Sequence, residues 1–274
     1  MSSPPRSFTL NRTIFNQNLY KRLQAIWFAD QPPNVTVATE ASIRRWFYHP
    51  DKEARLAFDQ SCRSSFLAAL ESVGPAHLGL QPFTSWTAER AMARDIAAPF
   101  LPDITPADPK SDADIDTASS NALSLFILLD QVARNVFRDN QALIYAHYDR
   151  LSQSLIHVIL SDDDDDRRYR LDLAPAIRHE PVRRSWFYLP LMHSEALADH
   201  ELFHKITVEM RKDLLARDDE AAAKSLDRNL AFGERHTDII RQFGRYPYRN
   251  EVLGRETTEQ EQKWLSEGGE RFGT

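Results

Sequence analysis

The sequence predicts an all-α fold for a single domain that spans residues 1–274. Eight glycines in 274 residues are too few for an all-β protein with many tight turns, and runs of alternating β-branched residues are missing. Apolar residues instead recur at helical spacing, as Phe66 and Leu70 illustrate. We therefore expect helices packed as antiparallel hairpins, in a bundle or a short solenoid.

The same periodicity divides the chain into ten helical segments. In order, the predicted helices are Phe15–Phe28, Ser42–Trp46, Lys52–Val73, Thr84–Ala97, Thr117–Arg138, Gln141–Leu160, Val182–Met192, Glu195–Leu215, Glu220–Phe243 and Thr258–Trp264. In the first of them, residues 26–28 are expected to face the core. The fifth is apolar on nearly every side up to Leu129, so we expect it at the centre of the fold.

Signals at the helix ends support several of these boundaries. Pro190 is expected to kink or end one helix, and Ser194 can cap the next, with Glu195 favourable in its first turn. Gly244 occupies the position at which a glycine commonly ends a helix, and Pro247 prevents continuation.

Two segments lack the helical pattern. Ala98–Asp116 contains four prolines and five aspartates and is expected to be a long surface insertion. Ser161–Arg170, SDDDDDRRYR, is a charged block that we interpret as a surface excursion between helices. A calcium loop requires ligands at alternating positions and a glycine turn, which five consecutive aspartates do not supply.

Composition limits the class of protein. The chain is 42% hydrophobic and 27% charged, as in ordinary soluble proteins, and its net charge of −6 argues against general nucleic-acid binding. The longest apolar run, Ala122–Leu129, is too short to span a bilayer. Cys62 is the only cysteine, which excludes an intramolecular disulfide and fits a reducing compartment. We expect a cytoplasmic protein that binds neither nucleic acid nor membrane.

The densest group of candidate binding residues lies at a predicted helix end and the turn that follows it. Guanidinium groups suit a carboxylate or a phosphate, and neighbouring aromatic rings can stack on a ligand. The candidates are Arg235, His236, Arg241, Arg245, Arg249 and Asn250. The arginines either bind an anion or pair with internal carboxylates and helix C-terminal carbonyls. His236 lies on the apolar helix face, where it is either a core histidine or a catalytic one.

A second candidate group lies on the predicted central helix. Asp130, Arg134 and Arg138 follow one another at a spacing of four residues, with Gln131 and Asn135 beside them. Polar groups on a buried helix must be paired or hydrated. The stripe is therefore an internal ion-pair network or the floor of a pocket. In a pocket, Arg134 and Asn135 would bind an anion and Asp130 would orient Arg134.

A third candidate lies at a junction between two predicted helices. Helix capping accounts for Ser194 and Glu195, but it does not account for His193. A histidine can act as an acid or a base near neutral pH. His193, Glu195 and His236 are therefore the candidate catalytic residues.

Three long motifs run through these candidate groups: LLDQVARNVFR at Leu128–Arg138, YLPLMHSEALAD at Tyr188–Asp199 and RHTDIIRQFGRYPYRNEVLGRETTEQE at Arg235–Glu261. With them the chain resembles the DUF924 family, whose members look like helical proteins of the tetratricopeptide-like superfamily. The resemblance implies an α-helical fold and no established activity. Tyr248 stands where a histidine is usual in the family, which counts against any mechanism that requires a second histidine there.

One further motif indicates a different chemistry. His200–His204 has the pattern HExxH, in which two histidines four residues apart on a helix can bind zinc and the glutamate can act as general base. Lys205 follows where the extended zincin pattern prefers an uncharged residue, and no third ligand is evident. A zinc peptidase through His200 and His204 is the least supported alternative.

Together these patterns predict that the protein binds a small anionic or polar ligand in a pocket lined by arginine and histidine. If it is an enzyme, its histidines would supply acid–base chemistry. The alternative is a non-catalytic helical scaffold that binds a protein partner. No P-loop, GxGxxG or GxSxG motif is present, and the sequence assigns no cofactor. The pocket hypothesis requires Arg134, His193 and Arg245 to converge in one concavity.

Overall fold

A computed structural model describes residues 8–33, 35–161 and 170–272. Within these ranges the chain forms α-helices with short π and 3-10 turns and no β-strand, so the all-α prediction is confirmed. The helices are α1 Gln17–Trp27, α2 Glu40–Trp46, α3 Lys52–Ser72, α4 Trp86–Ala91, α5 Ala93–Ala97, α6 Leu101–Ile104, α7 Asp112–Phe126, α8 Ala133–Val136, α9 Gln141–Leu143, α10 Asp149–Ile159, α11 Pro181–Arg184, α12 Leu189–His193, α13 Leu197–Leu215, α14 Glu220–Phe243 and α15 Glu259–Ser266. Residues 162–169, in the predicted charged excursion, lie outside the described residues.

The predicted central helix lies in the middle of the core, as expected. α7 continues through a π-helical turn at Ile127–Val132 into α8, so that one helical rod runs from residue 112 to residue 136. Residues 124–129 are 0% exposed. Because apolar side chains surround the rod on all sides, its few polar residues must find partners within the protein.

The predicted surface insertion at residues 98–116 is partly helical. It contains α6 and the first turn of α7, and the buried ring of Phe100 packs edge-on against Phe15 with 6.4 Å between ring centroids. The Ser111 hydroxyl accepts a hydrogen bond from the backbone N–H of Asp114 and begins α7. Polar and acidic residues that predicted a loop therefore act as helix-start signals.

A second rod with a π turn packs beside the first. α9 continues through a π turn at Ile144–Tyr148 into α10. α10 packs against α5 and α12, and the two π turns lie in neighbouring parts of the core. A π turn contains one more residue than an α turn, which changes the direction of the side chains that follow it.

α13 and α14 form an antiparallel hairpin. Arg211 of α13 forms an ion pair with Asp227 of α14 at 2.6 Å, and nearer the start of α13 His200 Nδ1 lies 3.3 Å from the Thr237 hydroxyl. Residue numbers thus decrease along α13 as they increase along α14, which defines the antiparallel pairing. This hairpin carries the chain to the Arg- and Tyr-rich turn that follows α14.

A small apolar cluster fixes that turn against the rest of the protein. Ile239, Ile240 and Tyr246 are buried together, and the Tyr246 hydroxyl donates a hydrogen bond to the carbonyl oxygen of Met192 at 2.7 Å. The turn after α14 is consequently held next to the end of α12.

Two expectations from composition can be compared with the fold. The thiol of Cys62 is buried among the core residues of α3 and is not in a disulfide. Among the described residues, no helix is both long enough and apolar enough to cross a membrane.

Replacement of Gly244 tests how α14 ends. Gly244 has a φ of 69° and donates its N–H to the Ile240 carbonyl at 2.8 Å, so it is the left-handed cap of the helix. We expect Gly244→Ala to lower the free energy of unfolding by about 1 kcal/mol, because a Cβ is disfavoured in this conformation. Urea unfolding measures the change.

Gly79→Ala is the matched control for this measurement. Gly79 does not have a positive φ, and a Cβ built there meets its nearest atom at 3.9 Å. Equal losses of stability in the two variants would contradict a backbone origin for the effect at Gly244.

Candidate functional site

Two segments of the chain meet at the carboxylate of Asp130. This residue lies on the π turn of the central rod and is 1% exposed. His193 Nδ1, at the end of α12, lies 2.8 Å from Asp130 Oδ1, and Arg134 Nη1 lies 3.4 Å from the same oxygen. Since an ionised carboxylate only accepts hydrogen bonds, Nδ1 of His193 carries the proton in this contact, and Nε2 is left for another partner.

Asp130 remains ionised despite its burial. Burial favours the neutral acid, but the neighbouring His193 and Arg134 outweigh it and hold the pKa of Asp130 below its ordinary value. The Gln131 amide adds a hydrogen bond to Oδ2 at 2.5 Å. A carboxylate that orients an imidazole through Nδ1 is the arrangement that prepares a histidine for proton transfer.

A second buried carboxylate lies next to the first. Arg134 Nη1 is 2.8 Å from Asp149 Oδ1, and Arg249 Nη1 is 3.8 Å from Asp149 Oδ2. Neither oxygen of Asp149 accepts a well-directed hydrogen bond from the described residues. Asp149 is therefore held by charge between two arginines, with its hydrogen-bonding capacity unused.

The two arginines also keep unused donors. Nη2 of Arg134 and Nε of Arg249 are buried and have no hydrogen-bond partner among the described residues. Buried N–H groups without a partner cost free energy and are rare in folded proteins. The charged groups of the site are thus paired, but some of their donors and acceptors have no hydrogen-bond partner. Such atoms are typical of a site where a polar ligand or ordered water supplies the missing hydrogen bonds.

Aromatic rings surround Arg249. Its guanidinium carbon lies 4.3 Å from the ring centroid of Tyr145, 4.4 Å from that of Tyr246 and 5.9 Å from that of Tyr248. Burial lowers the pKa of Arg249, but its anionic and phenolic neighbours, chiefly Tyr248 and Asp149, raise it above the ordinary value. Burial also raises the pKa values of the three phenols, which therefore keep their protons at neutral pH.

The ring cage and the backbone hold Arg249 in a fixed position. Arg249 Nη1 donates a hydrogen bond to the carbonyl oxygen of His193 at 3.0 Å. The side chains of Arg134 and His193 are 17% and 15% exposed, and Tyr145 and Tyr248 are also partly exposed. Solvent therefore reaches the site along this rim, above the buried aspartates.

Both π turns contribute to the site. One carries Asp130, and the other carries Tyr145 and ends immediately before Asp149. π turns occur often at functional sites because they reorient side chains within an otherwise regular helix. Here the first turn carries Asp130 and the second ends next to Asp149, and both carboxylates lie near the same nitrogen, Nη1 of Arg134, at 3.4 and 2.8 Å.

Glu195 supports the site from outside. Its carboxylate accepts two hydrogen bonds from Arg255, at 2.6 and 2.9 Å, and one from the backbone N–H of Tyr246 at 2.9 Å. Burial opposes ionisation of Glu195, but these hydrogen bonds and the charges of Arg249 and Arg255 lower its pKa. With its oxygens occupied in this way, Glu195 fixes the turn after α14 to the start of α13.

Three of the predicted arginines lie elsewhere and pair with carboxylates. The pairs are Arg235 with Glu270, Arg241 with Glu234 and Asp238, and Arg245 with Glu261. For these three, the interpretation as internal ion pairs describes the observed contacts. The expected convergence of Arg245 with Arg134 and His193 is wrong, because Nε and Nη2 of Arg245 both bind the Glu261 carboxylate, at 2.6 and 2.8 Å.

Two predicted amides also have structural partners. Nδ2 of Asn135 donates to Asp59 of α3 at 2.8 Å, beside the bidentate contact of Arg138 with the same carboxylate. Successive residues on a helix point about 100° apart. Asn135 therefore faces α3 while Arg134 faces Asp149. Asn250 is fully buried, and its Nδ2 lies 3.3 Å from Glu261.

His236 lies behind the site, in an apolar environment. Its Nδ1 donates to the Phe232 carbonyl at 2.9 Å, and its ring stacks on Phe272 with 3.4 Å between centroids. Burial lowers the pKa of His236 to about 2, so the imidazole is neutral at physiological pH. These contacts are those of a core histidine and do not support the predicted acid–base role.

The histidines of the HExxH pattern do not form a joint metal site. His200 is buried, with Nε2 2.9 Å from the Ser194 carbonyl and Nδ1 near the Thr237 hydroxyl, whereas His204 is exposed. Among the described residues, no group of three or more His, Cys, Asp or Glu side chains could hold a metal ion. The zinc-peptidase alternative is therefore unsupported by this geometry.

The sequence-based reasoning missed Asp149 and Tyr145. The two residues are four apart in a segment correctly predicted as a helix, which places them on one face. The available signal was the acidic side chain of Asp149 next to apolar residues on that helix face, which indicates a buried charge. Its partners Arg134 and Arg249 lie 15 and 100 residues away along the chain, so the spacing could not reveal them.

Comparison with known proteins identifies the chain only at the level of a family. The model of a family described as bacterial protein of unknown function (DUF924) matches residues 23–269. The solved structure of the protein of unknown function ATU0120 from Agrobacterium tumefaciens is similar, with 25% sequence identity and a TM-score of 0.51. The similarity covers 92% of this chain and 98% of that one. No curated protein matches the sequence.

The charge of Asp130 can be tested by its effect on stability. The pKa of Asp130 is lower in the folded protein than in an unfolded chain, where it is about 3.9. Its ionisation therefore stabilises the fold above that pH, and the stabilisation is lost as the pH falls through the folded pKa. We expect Asp130→Asn to lower the free energy of unfolding near neutral pH by about 3–5 kcal/mol, because the buried guanidinium of Arg134 loses a counter-charge and His193 loses its anionic acceptor.

Chemical denaturation across a pH series measures this difference. The gap between wild type and Asp130→Asn should narrow as the pH falls from about 5 towards about 2. Asp238→Asn is the matched control, because that side chain is 66% exposed and should change stability little. A gap that stays constant through the acid range would contradict the role of the carboxylate charge.

Proposed function

Because the chain belongs to the DUF924 family, whose description states no function, we propose a function from the site itself. The protein binds a small anionic or polar ligand at the cluster of Asp130, Arg134, Asp149, His193 and Arg249. This cluster keeps Asp130, Arg134, His193 and Arg249 from the predicted site. It leaves out Arg241 and Arg245, which pair with other acids.

One observation carries this proposal. Arg134 and Arg249 each have a buried N–H group without a partner among the described residues, and both groups belong to arginines that flank Asp149. Most buried donors in folded proteins have a hydrogen-bond partner. A ligand with oxygen acceptors would complete the hydrogen bonds that the protein leaves unmade.

The geometry of His193 supports acid–base chemistry on the bound ligand. Asp130 holds Nδ1, so Nε2 can accept or donate a proton on the partly exposed side of the ring. The two cationic side chains nearby would stabilise negative charge that develops on the ligand. In this proposal His193 transfers the proton, Asp130 orients it, and Arg134 and Arg249 bind the anion.

A protein-binding scaffold is the second candidate. Phe47 and Tyr48, at the end of α2, are 52% and 68% exposed, and Phe47 stacks on Trp186. Exposed aromatic groups of this kind mark some protein-interaction surfaces. The antiparallel pairing of α13 with α14 supports the finer assignment to tetratricopeptide-like hairpins, which often bind peptides.

A cytoplasmic location is also part of this proposal. Its support is the buried thiol of Cys62, because free cysteines persist in reducing compartments.

Thermal-shift screening against small carboxylates, phosphates and sugars tests the ligand site. Saturation at about 100 times the dissociation constant stabilises a protein by about 2.7 kcal/mol, which raises the melting temperature of a chain of this size by roughly 5–10 °C. We expect such a shift in wild type and its loss in His193→Gln and Arg134→Gln.

Arg241→Gln is the matched control, because Arg241 is 49% exposed and lies outside the cluster. It should retain the shift. Arg134→Gln also removes one of the two counter-charges of Asp149 and so changes more than the ligand contact. The decisive variant is therefore His193→Gln, at a partly exposed side chain. A ligand shift that survives in His193→Gln and disappears in Arg241→Gln would contradict the proposed site.

A further inference from the structure

The charges of the site are already balanced before a ligand binds. Two aspartates, Asp130 and Asp149, face two arginines, Arg134 and Arg249, across contacts of 2.8 to 3.8 Å. The neighbouring Glu195 is balanced in the same way by Arg255. With His193 neutral, the cluster therefore carries no net charge, and an added anion would be uncompensated in a largely buried place.

One group of the cluster can supply the missing positive charge. We propose that the site takes a monoanion, a small carboxylate, and that each binding event is coupled to the uptake of one proton on His193. This inference rests on the proposed function and adds the class of ligand and its protonation partner.

Among the surrounding titratable groups, His193 is the one suited to take up this proton. The charged and titratable side chains of the cluster and of the elements packed against it are Asp130 and Arg134 on the central rod, Tyr145 on the second π turn, Asp149 on α10, Glu195 before α13, His200 on α13, His236 on α14, and Tyr246, Tyr248, Arg249 and Arg255 after α14. Burial lowers the pKa values of His200 and His236, so neither ring gains a proton near neutral pH.

Asp130 and Glu195 are equally unsuited to take up the proton, because their partners hold the pKa values of both carboxyls below their ordinary range, although burial opposes this. The third acid, Asp149, lies between two guanidinium groups, at 2.8 and 3.8 Å. His193 differs from these groups because it is partly exposed and keeps Nε2 outside the contact with Asp130. When protonated, it donates from both nitrogens, to Asp130 and to the ligand.

The available donors also match a carboxylate better than a phosphate. Nη2 of Arg134, Nε of Arg249 and Nε2 of a protonated His193 are three donor nitrogens, which suit the two oxygens of a carboxylate. A phosphate monoester has three terminal oxygens and is mostly dianionic at neutral pH, since its second pKa is about 6. Its second charge would have no counter-charge in the cluster.

Matched pairs of small anions test this inference. Isothermal titration calorimetry near neutral pH compares acetate with methyl phosphate and benzoate with phenyl phosphate, each in two buffers of different ionisation enthalpy. We expect the carboxylate of at least one pair to bind at least tenfold more tightly than its phosphate. The buffer dependence of the enthalpy should give an uptake of about one proton per site. Because each binding event takes up a proton, affinity should fall as the pH rises.

Three variants assign the effect. His193→Gln should abolish proton uptake, and Asp149→Asn, which adds one positive charge to the balance, should shift preference towards the phosphate by tenfold or more. Asp238→Asn removes an exposed acid outside the cluster and should behave as wild type. Circular dichroism identifies any variant that is not folded, and the wild-type comparison of anions and buffers does not depend on the variants.

The outcomes separate this inference from the proposed function. Carboxylate binding without proton uptake, or tighter binding of the phosphate to wild type, would overturn the inference while leaving a ligand site that His193→Gln weakens. Binding of none of the four anions to wild type would overturn both.

Discussion

Asp130 is a charged carboxylate in the centre of a helical protein, and its need for counter-charge and hydrogen-bond donors brings together two segments that are distant along the chain. A buried charge that lacks partners costs several kcal/mol, so the fold must bring cations and donors to it. Arg134 supplies one from the next turn of the same rod, and His193 supplies another from the end of α12. The contact with His193 ties α12 to the central rod at the point where the π turn interrupts its regular helix.

The same requirement extends to the turn after α14. Two sets of contacts position Arg249 in the cluster. The Tyr246 hydroxyl donates a hydrogen bond to the Met192 carbonyl, and the Glu195 carboxylate binds both Arg255 and the backbone N–H of Tyr246. Each of these contacts joins the C-terminal segment to the region between α12 and α13. The site is therefore built on supports that are themselves buried or paired, which keeps its donors in fixed positions.

Five of the candidate arginines divide into two groups by the partners that the fold gives them. Arg235, Arg241 and Arg245 have acids within reach in their own C-terminal region and are used in ion pairs there. Arg134 and Arg249 share one acid, Asp149, and each of them also has a buried donor without a partner among the described residues. The sharing of one counter-ion by Arg134 and Arg249 is a property of the tertiary arrangement.

The sequence by itself determined the all-α class, the burial of the central rod and most helix boundaries. α14 begins and ends where it was predicted, at Glu220 and Phe243, because Asp219 caps its start and Gly244 its end. These features depend on apolar periodicity and on residues a few positions apart, which a sequence displays directly. The sequence also singled out Asp130, Arg134, His193 and Arg249 as candidate residues, but it could not separate them from Arg245 or His236.

Only the tertiary structure decided which candidates share a site. It produced the two π turns, which no local pattern signals, and it placed Asp149 between Arg134 and Arg249. It also enclosed His236 between Phe232 and Phe272, where the imidazole stays neutral. The physical reason is that charge pairing and desolvation depend on distances between residues that are far apart along the chain, and those distances are set by how the helices pack.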